Sequence, residues 1–417
     1  MGATELMSEI QYPSIDENLS RFIKTISNLQ TENFLDGEIL IVLENKILLH
    51  DASKDIASFK QPIFMIGSIS KQFFAVALLK ALYESSLGTI EDKIKSVKTK
   101  LHAPLVSYLL ETSPIWAGNM PFWAHNVSLY HLLTHTSGIP NFTGLEEYRA
   151  EFFETPHSST DMMQLVLNKE LLFTPGEKFS YSNTGYLLIN EVLEKITNKK
   201  ASRYLKELLF DPIGLLSTAN IDKGQYDALK LNSTYLELVP QWKYDPKNDI
   251  SHLYAPKHSE DMSIAQGGGS IISTAQDLLR WNQALYKERL IFSDPLHDIF
   301  MTETVYESAE GSRYGYGIGS KNTKLGMMFG HDGEIGTHRS FIRYFPNHDL
   351  SIIFLSYISY DFDKVKEEFK ELLASLDTIS DNEQKKEEAL KIISKKYPAH
   401  RGYEKVMSAL DDLISDH

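Results

Sequence analysis

Between residues 13 and 30 apolar side chains return every three or four positions, at Ile15, Leu19, Phe22, Ile23 and Ile26. That spacing puts them on one face of an amphipathic helix. The period then shortens. Gly37 to His50 alternates as two strands around Glu44-Asn45-Lys46, which predicts a hairpin. From Phe73 through Phe74, Val76, Ala77, Leu78 and Leu79 to Leu82 the apolar positions leave no polar face, so a helix there is buried nearly all round. Residues 96 to 250 read as mostly helical with long irregular connections. Residues 265 to 357 return to helix and strand, with His338 to Phe345 alternating as a strand and Ser351 to Tyr357 as an inner one. This order predicts an α+β fold: an antiparallel sheet flanked by helices, with a mostly helical lobe inserted. Residues 1–95 and 250–376 form the sheet lobe, 96–249 the helical lobe and 377–417 a charged helical extension.

Composition narrows the class. With 42 Lys+Arg against 56 Asp+Glu the net charge is -14, which opposes nucleic acid or an anionic membrane surface as a main partner. The absence of cysteine excludes disulfides, thiolate metal ligands and a cysteine nucleophile. The first twenty residues carry acidic side chains where a secretory signal needs a basic start and an apolar core. The compartment stays open: cytoplasmic as written, or periplasmic or extracellular if a signal has been removed. The apolar run Leu350 to Ile358 is too short to span a bilayer.

The chemistry concentrates in three short segments. Ser68 and Lys71 stand in Phe-Met-Ile-Gly-Ser-Ile-Ser-Lys-Gln-Phe (64 to 73), one turn apart at the start of the apolar helix, so an amine can take the proton of an alcohol nucleophile. A helix beginning there also turns its backbone N–H groups toward developing negative charge. Ser-x-x-Lys alone is a weak signal, since a chain this long supplies about one such match by chance. Tyr181-Ser182-Asn183, after Pro175-Gly176, adds a phenol, a hydroxyl and an amide. His331-Asp332-Gly333, in GHDGEIG (330 to 336), precedes the strand at His338. Together these are the parts of one acyl-transfer site.

On these residues the chain resembles the penicillin-recognising serine hydrolases, the broad β-lactamase-related family of class C β-lactamases, DD-carboxypeptidases, D-aminopeptidases and family VIII esterases. VSLYHLLTHTSGIP (127 to 140), FDPIGLLST (210 to 218), GGGSIISTAQDLLRW (267 to 281) and Tyr314-Gly-Tyr-Gly317 resemble further family segments in family order. The resemblance covers roughly residues 37 to 357 and implies a β-lactamase/transpeptidase-like fold. Two departures stand out. The Leu-Asp-Asp-x-Val motif is blurred into Ile90-Glu-Asp-Lys-Ile94, and an aromatic insertion, SPIWAGNMPFWAHN (113 to 126), follows it. Its Trp116, Phe122 and Trp123 are either lobe packing or a pocket wall.

What the resemblance implies is an acyl-enzyme on Ser68, with Lys71 or Tyr181 as the base. The oxyanion would be held by the backbone N–H groups of Ser68 and Glu334. Asn183 would orient the substrate amide and contact Lys71, and Gly333 would let the strand edge come close to the substrate. No cofactor and no metal is implied. Where class C β-lactamases carry Lys-Thr-Gly, this chain has His331-Asp332-Gly333, which weakens the case for binding a β-lactam carboxylate. A small peptide or D-amino-acid amide, or an ester, is the expected substrate, and Glu334 could attract a cationic amine. Acyl transfer to another acceptor, β-lactamase action, and a catalytically silent binding module remain alternatives. A protein partner or self-association could use 377–417.

Three competing sites are weaker. His131-x-x-x-His135 has the spacing of a zinc pair on a helix but lacks the glutamate of His-Glu-x-x-His. Gly267-Gly-Gly-Ser270 is not followed by Gly-Lys-Ser/Thr, so it reads as close backbone packing rather than a phosphate loop. Ser68 lies in no Gly-x-Ser-x-Gly elbow.

Overall fold

The computed structural model describes residues 15–32, 37–53, 62–148, 157–221, 262–308, 311–335, 338–357 and 401–415 without a break, with short strands and single positions between and beyond them. In chain order the strands are β1 (Gly37–Leu43), β2 (Lys46–Ala52), β3 (Pro62–Met65), β4 (Ala219–Asn220), β5 (Glu237–Leu238), β6 (Trp242–Tyr244), β7 (Tyr254–Pro256), β8 (Ile271–Ser273), β9 (Val305–Tyr306), β10 (Arg313–Tyr314), β11 (Gly319–Thr323), β12 (Gly326–Ile335), β13 (His338–Phe345) and β14 (Leu350–Tyr357). Eight of them make one antiparallel sheet in the order β2-β1-β14-β13-β12-β11-β10-β9. The β1–β2 hairpin closes through Glu44 and Asn45, both left-handed at φ 49° and 67°. That is the twist a two-residue hairpin turn needs.

All eight residues of β14 are buried, because helices cover both faces of the sheet, and the strand accordingly reads as an unbroken apolar run. On the inner face, Ile353 and Leu355 join the core of helix α2 (Ser70–Glu84). On the outer face, Ile352 and Phe354 pack with Leu19, Phe22 and Ile26 of α1 (Ile15–Thr31). The C-terminal helix Arg401–Ile414 completes that outer layer, burying Tyr403, Val406, Leu410, Leu413 and Ile414. Lys324 ties its end down: the backbone N–H donates to Ile414 O at 3.2 Å and Nζ to Asp412 O at 2.7 Å. The apolar face of this part of the extension is therefore used internally, while its charges face solvent. Within the expected closing helix at 365–376, residues 368, 370–372 and 374–375 are described and helical, whereas most of the run from 377 to 400 lies outside the described residues.

Helix α3 (Ile90–His102) runs across the expected lobe boundary at 95–96, and α4 (Leu129–Leu133), α5 (Ser159–Gln164) and α6 (Asn183–Thr197) follow it. The core of this segment is continuous with that of α2, through Leu132, Leu188, Ile189 and Val192 among others. Trp116 and Trp123 are buried and meet edge to face at 6.0 Å, whereas Phe122 is 82% exposed. The aromatic insertion is thus lobe packing, and none of the three lines the cleft described below. Short strands occur inside the span that reads as mostly helical. β4 and β5 join β8 and β3 in a small second sheet, order β4-β8-β3-β5, and β3 runs straight into the segment that carries Ser68.

The helix itself starts two residues later than the sequence pattern suggests. Ser68 lies in a single 3₁₀ turn, Gly67–Ile69, and α2 begins at Ser70. The physical reason is Gly67. Its φ of 51° is left-handed, and a Cβ built there would lie 2.6 Å from Glu334 N, so the chain tucks its turn against β12 before it can enter the helix.

Candidate active site

Lys71 is the hub. Its Nζ donates to Ser68 Oγ at 2.9 Å, to Asn183 Oδ1 at 2.8 Å and to Gly268 O at 2.7 Å. The side chain is fully buried, and burial holds the ammonium well below the usual lysine pKa. An amine in that position, with every proton directed, can shed a proton and accept another from Ser68 at modest cost. Gly268 meets Lys71 because the Gly267–Gly269 run hugs the helix behind it. A Cβ on Gly267, at φ 77°, would sit 2.0 Å from Tyr186 O, so these glycines serve close backbone packing. Ser70, next to the nucleophile, fixes the turn from below: its Oγ accepts from Ile271 N at 3.1 Å.

Tyr181 and Asn183 are brought in by the start of α6. Asn183 N donates to Asn141 Oδ1 at 3.0 Å and its Nδ2 to Thr143 Oγ1 at 3.1 Å, so the amide is locked with Oδ1 toward Lys71. The Tyr181 ring centroid lies 4.9 Å from Lys71 Nζ. Its phenol shares a hydrogen bond with Ser68. Burial raises its pKa, the bond to Ser68 opposes that rise, and the charges of Asp332 and Glu307 add to it.

One residue that holds this geometry was missed by sequence reasoning, which weighed it only as half of a metal pair. His135 leaves α4 at the left-handed φ of 56°, stacks on Tyr181 with ring centroids 4.1 Å apart, and accepts Ser182 N–H on Nδ1 at 3.1 Å. His131 instead accepts Ser128 N–H on its own Nδ1 at 3.2 Å as part of a helix cap. The two imidazoles are committed to separate backbone bonds. Among the described residues no cluster of three or more His, Asp or Glu is arranged to hold a metal. The signal for His135 was present in THTSG, where a histidine before Thr-Ser-Gly ends a very short helix.

The third motif lies on β12. His331 is buried, and both ring nitrogens are engaged: Nδ1 donates to Asp332 O at 2.5 Å, which leaves Nε2 to accept from the Tyr314 hydroxyl at 2.8 Å. Burial foremost, then the charge of Lys71, pushes its pKa down to about 4, so the ring is neutral at pH 7. His331 lines the cleft with Ser68 and braces Tyr314 through the bond to its hydroxyl. Asp332 does not stand alone either. Arg343, on β13, donates to its carboxylate at 2.6 Å, offsetting the negative charge that the motif alone implied. Glu334 likewise pairs with Arg339 at 3.2 Å, which offsets its charge. These two arginines, at the register positions opposite Gly330 and Glu334, could have been found by pairing the two strands on paper.

Gly333 makes a close approach, though to protein. A Cβ there would lie 2.0 Å from Ile66 O and 2.4 Å from Ser340 Oγ. The absence of side chains at Gly67 and Gly333 lets the turn bearing Ser68 and the edge of β12 meet. Around them opens a cavity of about 440 Å³, lined by Ser68, Tyr181, Tyr314 and the whole stretch Gly330 to Glu334. No helix among the described residues is long and apolar enough to cross a membrane.

Known proteins carry the same frame. A family model described as Beta-lactamase matches residues 42–375. Penicillin-binding protein 4* of Bacillus subtilis (strain 168) is 24% identical over 363 residues, 82% of this chain and 72% of that protein. Among solved structures, a D-stereospecific amidohydrolase from Streptomyces sp. superposes with a TM-score of 0.63 at 20% identity, covering 81% of this chain and 94% of that one. The D-amino acid amidase of Ochrobactrum anthropi SV3 gives 0.60 at 17% identity, covering 94% and 99%. These likenesses establish the α+β, β-lactamase/transpeptidase-like fold that the sequence implied. With the family model spanning most of its length, the chain belongs to the Beta-lactamase family.

Proposed function

We propose that the protein is a serine hydrolase that cleaves a small amide, of the peptide or D-amino-acid type, or an ester through an acyl intermediate on Ser68. The observation that carries this reading is the buried Lys71 amine, bonded at once to Ser68, Asn183 and Gly268. Ser68 Oγ attacks the carbonyl carbon while its proton passes to neutral Lys71. The carbonyl oxygen takes the negative charge, with the N–H groups of Ser68 and Glu334 as its donors. The C–N or C–O bond then breaks, and the leaving group takes a proton from the Lys71–Tyr181 pair. Water attacks the acyl carbon in the second half, returning the proton to Ser68 Oγ.

The opposed environments favour one assignment of the base. Burial lowers the Lys71 pKa and raises that of Tyr181, so the neutral amine is the accessible base form and the phenol stays protonated as a proton relay. The neutral, fully engaged His331 supplies no fixed cation of the kind Lys-Thr-Gly provides, which supports an amide or ester over a β-lactam. The kinship in fold with a D-stereospecific amidohydrolase and a D-amino acid amidase points the same way. A panel of D- and L-amino-acid p-nitroanilides, p-nitrophenyl esters and penicillin tests it. Turnover of an anilide or ester above penicillin is expected, and penicillin as the best substrate would reverse the assignment.

A further inference from the structure

His331 and Asp332 are consecutive residues of β12, so their side chains leave opposite faces of the sheet. His331 reaches Tyr314 on the inner face, and Asp332 reaches Arg343 and Tyr403 on the outer. Both nonetheless line the same cavity. This requires the cavity to wrap around the edge of β12. The topology permits it: pairing between β11 and β12 ends at Gly319 and Gly330, so the edge beyond Gly330 has no partner strand on that side. One arm of the cavity holds Ser68 and Tyr181. The other lies over the outer face, between β11 and the C-terminal helix.

The outer arm is built from residues that the acyl-serine chemistry does not use. Tyr403, from the C-terminal helix, is fixed by ring packing on Phe341 and Phe354, with centroids 6.1 Å from each. Its hydroxyl reaches Asp332 Oδ1 at 3.5 Å, and Asp332 is itself held by Arg343. Arg339 ties the helix to the catalytic strand, bonding Glu404 at 3.1 Å and Glu334 at 3.2 Å. Lys321, on β11, lines the same arm and makes no ion pair among the described residues. Its pairing opposite Met328 puts it on the Asp332 face. The family match ends at residue 375, so the helix that walls this arm lies outside the part of the chain the family model describes.

We propose that Tyr403 and Lys321 are specificity-determining residues that receive the distal part of an elongated, peptide-like substrate as it crosses the edge of β12. The inference rests on the acyl-serine reading and adds length to it. A cavity of about 440 Å³ exceeds what a single amino-acid amide fills, and the outer arm offers a phenol and an ammonium for the polar groups of a second or third residue.

Two ladders of D-amino-acid-containing peptide p-nitroanilides and amides test it, one lengthened at the acyl end and one at the leaving end. They are assayed on the full chain, on Lys321→Ala, and on Tyr403→Phe, which keeps the ring packing. In the wild type one ladder gains kcat/KM with each added residue. Lys321→Ala and Tyr403→Phe each remove three- to tenfold of that gain, about one hydrogen bond's worth. The loss falls in KM, while kcat for the shortest member and the rate of fluorophosphonate labelling stay unchanged. The same peptides titrated onto Ser68→Ala read length dependence without turnover. If catalysis fails but the length dependence of binding holds, the acyl-serine reading falls and the outer arm stands. Binding and kcat/KM that ignore length in both ladders, or a length gain the two variants keep, overturns the proposal.

Discussion

Lys71 Nζ sits 2.9 Å from Ser68 Oγ on a side chain with no exposure to solvent. A buried ammonium is costly, and three directed hydrogen bonds are what make the site tolerable. That cost is also what makes the amine a base: the same burial that destabilises the charged form holds the neutral form ready.

The first prediction concerns pH. Because burial depresses the folded pKa of Lys71, deprotonation is reached at lower pH than for an ordinary lysine. The profile of kcat/KM falls on the acid side as Lys71 takes up its proton. Lys71→Arg, always protonated, loses about 10²- to 10⁴-fold in acylation and gains nothing on raising pH. Stopped-flow labelling across the pH range gives the answer, and a Lys71→Arg variant with wild-type labelling removes Lys71 as base.

Tyr181→Phe separates a relay from a base. With its pKa raised by burial, Tyr181 serves as a proton donor, so the variant loses about 10²-fold or more in kcat. The loss is greatest for anilides, whose leaving nitrogen needs a proton, and smaller for p-nitrophenyl esters, whose leaving group does not. Equal losses on both substrates would contradict the relay.

Gly67→Ala tests how the turn and the strand edge are held together. The new methyl group would lie 2.6 Å from Glu334 N, in a left-handed backbone at φ 51°. The backbone alone costs about 1–2 kcal/mol, and the clash must be relieved by parting the turn from β12. Loss of one well-placed oxyanion donor costs about 10²- to 10³-fold in kcat. Thermal melting and kcat measured together check both halves of this statement.

The buried histidines set acid stability. His331, held down to about 4 against an ordinary 6.5, binds no proton in the folded state across an interval where the unfolded chain does. The sign follows: its contribution is fully present above 6.5 and is lost as pH falls toward 4, a total of about 3 kcal/mol. His331→Asn flattens the decline in urea midpoint between about pH 6.5 and 4.5. A variant that declines as steeply as wild type assigns acid lability to other groups, with His135, fully buried and shifted in the same direction, next in line.

Much of this was legible in the chain because local pattern and global placement agree. The alternation of His338 to Phe345, the apolar run of Ser351 to Tyr357 and the Glu44-Asn45 turn each name their element, and β13, β14 and the β1–β2 hairpin lie where they point. Ser68, Lys71, Tyr181 and Asn183 converge as the motifs implied. What local pattern alone did not supply was pairing across the sheet. Asp332 looked like an unopposed charge because Arg343 is eleven residues away in sequence and opposite only after β12 and β13 pair. Glu334 looked free for the same reason, since Arg339 meets it across the hairpin. The tail at 377–417 read as a charged extension because its polar face dominates the composition. Its apolar positions, Tyr403, Val406, Leu410 and Leu413, declare a buried face only at helical spacing.

The central claim is an acyl-enzyme on Ser68, and intact-mass measurement after incubation with a fluorophosphonate tests it most directly, with Ser68→Ala alongside. The account predicts one adduct per chain on the wild type, none on Ser68→Ala, and a residual rate on Lys71→Arg lower by about 10²-fold or more. An unmodified wild-type mass, or an adduct that survives in Ser68→Ala, contradicts it.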